Sequence, residues 1–242
     1  IEKAHRMALE EGFESSPDDC YLVLRYKLAD TYVVEGSENN IKITYQIDLH
    51  LLDKLFQLKS QSLTDINLEN LKEIIKNKKY IIFGGTKGIG KAICDLSNSF
   101  GAYAYCFGSD IDVRKPEVVK KTISSIYKKH GEINGIIITA GLMKKGKLEN
   151  IGLDYIYEQI ETNLTGSIIV SKYSIPYLKK SQGHLTLFAS SSYTLGREEY
   201  TIYSASKAGV VNFMQGLSQE LSDYNICLLY TSDAADELDG VD

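Results

Sequence analysis

The chain has 242 residues, 43% apolar and 24% charged, a balance that buries a real core and suits one full domain plus a smaller piece. A net charge of −5 argues against a nucleic-acid-binding face. No apolar stretch approaches the length of a membrane span, and residues 1–11 are too charged for a signal peptide. Cys20, Cys94, Cys106 and Cys227 show neither metal nor disulfide spacing, which points to a reducing cytoplasm. His5, His50, His130 and His184 form no cluster, so metal catalysis has no support in the sequence.

In chain order, residues 1–12 read as a helix, and Ser15-Ser-Pro-Asp-Asp19 marks a turn and a helix start. Residues 31–36 and 40–44 read as short strands around a polar turn. Residues 48–59 form an expected helix with a broad stripe of Leu49, Leu51, Leu52, Leu55, Phe56 and Leu58. Residues 57–65 are polar and serve as the expected linker. The first 58 residues are too few and too irregular for a good core of their own.

From residue 79 the pattern changes. Lys79-Tyr-Ile-Ile-Phe83 reads as a buried strand, followed by the glycine turn Gly84-Gly-Thr-Lys-Gly88-Ile-Gly90 and a helical pattern over 91–100. Strand, glycine turn and helix bring backbone N–H groups and a helix N-terminus onto a pyrophosphate. Residues 102–107 form a second expected strand. A helix over 116–130 and a strand over 134–139 follow, the strand ending in Ala140-Gly141. Such alternation implies a parallel, doubly wound sheet of the Rossmann type. A long helix is expected around 151–180, and the run 185–189 ends at Ser190, a strand tip that can present a hydroxyl.

The most informative stretch is Tyr203-Ser-Ala-Ser-Lys207. A phenol and an ammonium four residues apart share one helix face, and the cation makes the phenolate easier to form. With Ser190 beside them, the trio suits protonation of a carbonyl oxygen while hydride reaches its carbon.

These motifs, together with Asp112-Val113, Thr139-Ala-Gly141 and Asn163 in Glu-Thr-Asn-Leu-Thr-Gly166, resemble the classical short-chain dehydrogenase/reductase family over residues 79–226. The resemblance implies Tyr203 as proton donor, Ser190 polarising the carbonyl, Lys207 on the nicotinamide ribose, and Asn163 anchoring a relay water. It also implies a cofactor site of Gly84, Thr86, Lys87, Gly88, Ile89, Gly90, Ser109, Asp112, Ala140, Gly141, Tyr203 and Lys207, with Asp112 beside the adenine. Gly108-Ser109 stands where an acid would select NAD, and Lys87 can meet a 2′-phosphate, so NADPH is expected. Asp110 nearby is the opposing sign. In one departure, only Gly108-Ser-Asp-Ile111 separates the second strand from Asp112, where the family carries a helix and most of a strand.

The first 58 residues resemble the C-terminal end of the sugar- and polyol-phosphate cytidylyltransferases, through Ala4, Ala8, Glu11-Gly12, Asp18-Asp19, Val34-Glu-Gly36, Asn40-Ile-Lys-Ile-Thr44 and Asp48. That resemblance implies a phosphate contact for Lys42, and the absence of a CTP-holding glycine loop implies that this piece transfers no cytidylyl group. The two resemblances together are similar to the bifunctional bacterial enzymes that make CDP-ribitol, and imply reduction of D-ribulose 5-phosphate to D-ribitol 5-phosphate. Arg197 and Lys144 are the candidate substrate-phosphate cations, with solvation of the loop as the alternative for Lys144 and its neighbour Lys145. A parent acting chiefly as a cytidylyltransferase, including the methylerythritol-phosphate type, and a non-catalytic NADP-binding fragment are the other readings. Long helices commonly pair across subunits in the reductase family, so 151–180 is the expected homo-oligomer face of the full-length parent. Residues 227–242 resemble a translated sequencing adapter and are set apart from the fold, which leaves four segments: 1–58, a linker and helix over 59–78, a reductase domain truncated at 226, and the tail.

Overall fold

The computed structural model describes residues 1–13, 15–37, 40–49, 51–52, 55 and 67–231. The chain divides into two compact units, Ile1–Ile66 and Asn67–Asp242.

In the first unit, α1 (Glu2–Glu11) and α2 (Asp19–Arg25) pack Ala4 and Ala8 against Leu22. Asp18 caps α2 by accepting from the Tyr21 N–H at 2.7 Å, which answers one of the helix's orphan donors. The strands expected over 31–36 and 40–44 are not formed: the described residues there carry no ladder. Val33 and Val34 stand exposed, and β-branched residues prefer strands only where a neighbouring strand and a core face accept them. Residues 46–49 and 51–52 are helical, with the Asp48 carboxylate accepting from the Thr44 and Tyr45 N–H groups; the expected linker 57–65 lies outside the described residues.

The second unit opens with α3 (Leu68–Ile75), capped by Asn67, and continues into a five-stranded parallel sheet. The strands are β1 (Lys79–Phe83), β2 (Tyr103–Phe107), β3 (Gly135–Ile138), β4 (His184–Phe188) and β5 (Cys227–Thr231), in the order β2-β1-β3-β4-β5. Between them run α4 (Gly88–Ser99), α5 (Pro116–His130), α6 (Leu153–Ile160), α7 (Gly166–Ser181) and α8 (Thr201–Glu220).

Strand alternation sorts the core into two faces. Ile81, Phe83, Ile136, Ile138, Leu185 and Leu187 pack with Val119 and Ile123 of α5, Val170 of α7 and Met214 of α8. Ile82 and Ile137 point the other way, onto Cys94 of α4. Both faces are covered, which is why these strands read as continuous apolar runs. The fold is therefore an α/β Rossmann-type sheet, as the motif order predicts.

Two expectations are corrected. Residues 227–231, set apart from the fold in the sequence reading, form the edge strand β5, in parallel register from His184↔Cys227 to Phe188↔Thr231. The apolar run continues the sheet's own pattern, and β4 offers it an open ladder. Cys94 and Cys106 are joined as a disulfide between α4 and β2, with Cα atoms 6.3 Å apart. The pairing comes from the strand–helix–strand fold stacking α4 on β2, which a separation of 12 residues does not reveal.

His184 packs its ring against Gly135, where a Cβ would collide with it, and lies 5.4 Å from the Tyr80 ring. Burial pushes its imidazole below the usual pKa of 6.5, so the folded chain favours the neutral form. The unfolded chain then binds the proton more readily, and stability falls as pH drops below about 6.5, by up to about 1.4 kcal/mol per pH unit. Thermal melts between pH 7.5 and 5 check this: the decline should flatten in His184→Gln, and an identical decline in that variant rules out His184 as its source.

Candidate active site

The sheet order reverses between β2 and β3, which lie on opposite sides of β1, and ligands of such sheets bind at that crevice beyond the strands' C-terminal ends. A cavity of 750 Å³ occupies this position.

One wall is the glycine turn. The Gly84 and Gly85 N–H groups both donate to the Phe107 carbonyl at 2.8 Å, which ties the turn to the end of β2. Gly84 has φ +88°, and a Cβ there would stand 2.5 Å from the Ala140 nitrogen, so only glycine lets the turn approach the end of β3 this closely. A Cβ on Gly90 would collide with Thr139 Oγ1 and the Gly84 carbonyl. The close packing aims the N-terminus of α4 into the cavity, and no side chain caps that end. Gly84, Thr86, Lys87, Gly88, Ile89 and Gly90 all line it. Ser109 and Asp112 line the β2 side, and Ala140 and Gly141 the β3 side.

The far wall carries the Tyr–Lys pair that the sequence singles out. Tyr203 and Lys207 lie on the first turns of α8, both buried and both lining the cavity. Lys207 donates from Nζ to the Phe188 carbonyl at 2.7 Å, which fixes the ammonium at the end of β4, 5.6 Å from the Tyr203 ring centroid. Ser190 follows β4 and is not among the residues lining the cavity: it is fully buried, caps the short turn Ser191–Tyr193 and shares a hydroxyl contact of 2.9 Å with Ser192.

Asn163 lies in a π-helical turn, Glu161–Thr165, between α6 and α7. The sequence reading expects one continuous helix here and misses the insertion, whose extra residue per turn swings Asn163 inward. Its Oδ1 accepts from the Leu142 N–H at 2.7 Å, and its Nδ2 donates to the Leu142 carbonyl at 2.8 Å and to Ser206 Oγ at 3.1 Å. The amide therefore pins the loop after β3 to α8, directly under the cavity wall formed by Gly141 and Leu142.

None of the three cations expected to meet a substrate phosphate is among the residues lining the cavity. Exposed Arg197 donates to Ser191 Oγ at 3.0 Å, beside the Ser190 turn. Lys144 has its ammonium 3.1 Å from the Tyr155 ring centroid and 3.8 Å from Glu158. Lys42 is exposed and belongs to the first unit, whereas every residue lining the cavity belongs to the second.

Arg114, Glu158 and Thr162 also line the cavity and were not singled out from sequence. Arg114, two residues past Asp112, was within reach of sequence reasoning as one of two adjacent cations, with Lys115, in that short connection; Glu158 and Thr162 carry no sequence signal, because they enter only when α6 and the turn after it pack across the cavity. Arg114 bonds both Asp112 carboxylate oxygens at 2.9 Å and lowers the pKa of that acid from its usual value.

Residues 101–230 match the family model for short chain dehydrogenases. The chain belongs to this family and is an oxidoreductase. It is 36% identical over 230 residues to the bifunctional ribulose 5-phosphate reductase/CDP-ribitol pyrophosphorylase Bcs1 of Haemophilus influenzae, across 93% of this chain and 48% of that protein. The chain thus spans about half the length of that relative. It is 30% identical over 166 residues to a human 3-oxoacyl-[acyl-carrier-protein] reductase, covering 60% of this chain and 70% of the other. Among solved structures, the NADH-dependent reductase A1-R′ complexed with NAD has the same fold, with TM-score 0.59 and 18% identity over 66% of this chain and 79% of that one.

Removing the Asn163 amide leaves the Leu142 N–H, its carbonyl and Ser206 short of a buried partner. Asn163→Ala is expected to cost about 1–3 kcal/mol in chemical denaturation. An unchanged denaturation midpoint would remove its loop-pinning role.

Proposed function

We propose that this chain is the reductase portion of a bifunctional enzyme, and that it uses NADPH to reduce D-ribulose 5-phosphate to D-ribitol 5-phosphate. The observation that carries the reading is one cavity with two kinds of wall: a phosphate-cradling glycine turn on one side, and the Tyr203–Lys207 pair on the other. The fit to a dinucleotide rests on the open N-terminus of α4 and on the space at Gly84 and Gly90 that any Cβ would fill. The bound nicotinamide supplies the hydride.

The chain's own residues supply binding and the proton. Lys207, fixed by the Phe188 carbonyl, lowers the cost of charge on the Tyr203 oxygen, and Tyr203 donates its proton to the carbonyl oxygen as hydride adds to carbon. The Ser190 hydroxyl polarises the same oxygen. Burial of all three side chains keeps bulk water from competing for the proton.

The preference for NADPH over NADH is supported by charge. Lys87 and Ser109 line the cavity where the adenosine ribose would lie, and Asp110 turns its carboxylate back onto the Gly108 N–H at 2.8 Å. Asp110 is not among the residues lining the cavity, so it does not offer the acceptor that a ribose 2′-hydroxyl would need there. The substrate assignment is supported by the 36% identity to Bcs1, an alignment long enough to run beyond the second unit into the first. That reach also favours reading the first unit as part of a cytidylyltransferase domain, with Lys42 as its phosphate contact. Arg197 is the proposed cation for the substrate phosphate at the reductase site, since it borders the Ser190 turn.

NADPH consumption followed at the nicotinamide absorbance, with and without D-ribulose 5-phosphate, tests the reaction. Tyr203→Phe should lower turnover by about 10²–10⁴-fold with little change in NADPH affinity, whereas Lys207→Ala should harm both. Full turnover in Tyr203→Phe removes the proton-donor role. Arg197→Ala should raise KM for ribulose 5-phosphate and leave unphosphorylated ribulose unaffected; an equal change for both sugars excludes the phosphate contact.

A further inference from the structure

The connection between β2 and α5 is short. Four residues, 108–111, separate the end of β2 from Asp112, and α5 begins at Pro116. Within the sheet, β2 is an edge strand, so Asp112 has no further strand beside it to fix its direction. Yet it lines the cavity on the β2 side, the side on which a dinucleotide bound at this kind of crevice lays its adenosine half.

Arg114 takes over that task. Its backbone N–H and its Nε donate to Asp112 Oδ1 at 3.0 and 2.9 Å, and a terminal nitrogen donates to Oδ2 at 2.9 Å. The other terminal nitrogen lies 3.8 Å from Glu158 Oε1 on α6, and Glu158 Oε2 lies 3.8 Å from Lys144 Nζ. Asp112, Arg114 and Glu158, which line the cavity, thus form with Lys144 a chain of alternating charge. The guanidinium is gripped at both ends, which removes the freedom a long side chain otherwise keeps.

This arrangement speaks against Arg114 as a phosphate ligand, because two carboxylates already share its charge. It speaks for a role exerted on Asp112. A carboxylate oxygen accepts two hydrogen bonds comfortably. Oδ1 has two donors from Arg114, while Oδ2 has one, so Oδ2 keeps one acceptor position.

We infer that Arg114 is a positioning residue that orients the Asp112 carboxylate so that Oδ2 accepts from the 6-amino group of the cofactor's adenine. The inference rests on the proposed dinucleotide reading and adds to it the residue that sets base recognition. The low carboxyl pKa that Arg114 imposes works in the same direction, since a protonated acid would meet the amino group with a donor of its own.

The test compares affinity for NADPH with affinity for its hypoxanthine analogue, in which an oxo group replaces the 6-amino group, using the full chain. A hydrogen bond to a charged acceptor predicts a preference of about 10- to 100-fold for the adenine form. In Arg114→Met that preference should shrink to within about 3-fold while the thermal midpoint stays near that of the parent chain. Arg114→Lys, which restores charge without the fork, should fall between, and Asp112→Asn should lose the preference alone and lose no more when combined with Arg114→Met. Arg114→Met weakening both dinucleotides by one factor, or changing neither, overturns the proposal; if Arg114→Met does not fold, a full preference in Arg114→Lys does the same. Equal binding of the two dinucleotides by the parent chain also overturns it, with the cofactor reading intact, whereas no binding of either defeats the cofactor reading itself.

Discussion

The close approach of the glycine turn to the end of β3 is the constraint on which the site depends. Gly84 and Gly90 bring the backbone of the turn against Ala140 and Thr139, closer than any side chain allows. Because the turn also bonds the Phe107 carbonyl through two N–H groups, the ends of β1, β2 and β3 become one rigid rim. The N-terminus of α4 is then aimed by the sheet, with the partial positive charge of its unpaired N–H groups directed into the cavity. Loosening that contact would move the phosphate cradle and the loop after β3 together.

The opposite rim is fixed by polar contacts. Lys207 is tied to the end of β4, and Asn163 ties the loop after β3 to Ser206 on α8. Both anchors are buried, where each hydrogen bond is strengthened and each loss costs more. A π-helical turn supplies the inward direction of Asn163, a local helical irregularity beside the cavity wall. The two rims share the β3 loop, so the glycine turn and the Tyr203–Lys207 pair are referred to the same backbone. The charge chain from Asp112 through Arg114 and Glu158 to Lys144 gives the shortened β2–α5 side a comparable stiffness by electrostatic means.

The physical reason so much was legible in the second unit is that its motifs are local. A buried parallel strand is a run of apolar residues, a phosphate turn is a run of glycines, and a Tyr–Lys pair on one helix face is four residues apart. The sheet class follows from such runs, whereas the grouping of the glycine turn with Tyr203 and Lys207 around one cavity was implied by the family resemblance and not by any run. The first unit was less legible. Val33 and Val34 have strand propensity, but among the described residues no neighbouring strand accepts them. For β5, resemblance outweighed pattern: an apolar run was set apart because of what it looks like, although its register with β4 is that of the rest of the sheet.

By itself the sequence determined the order of strands and helices, the glycine turn and the spacing of the reactive pair, since each depends on neighbours within a few residues. Only the tertiary structure decided which groups further apart meet: Arg114 on Glu158, Lys207 on the Phe188 carbonyl, Asn163 on Leu142 and Ser206, and Cys94 on Cys106. Those contacts arise from how helices cross a twisted sheet, and no periodicity along the chain encodes the crossing.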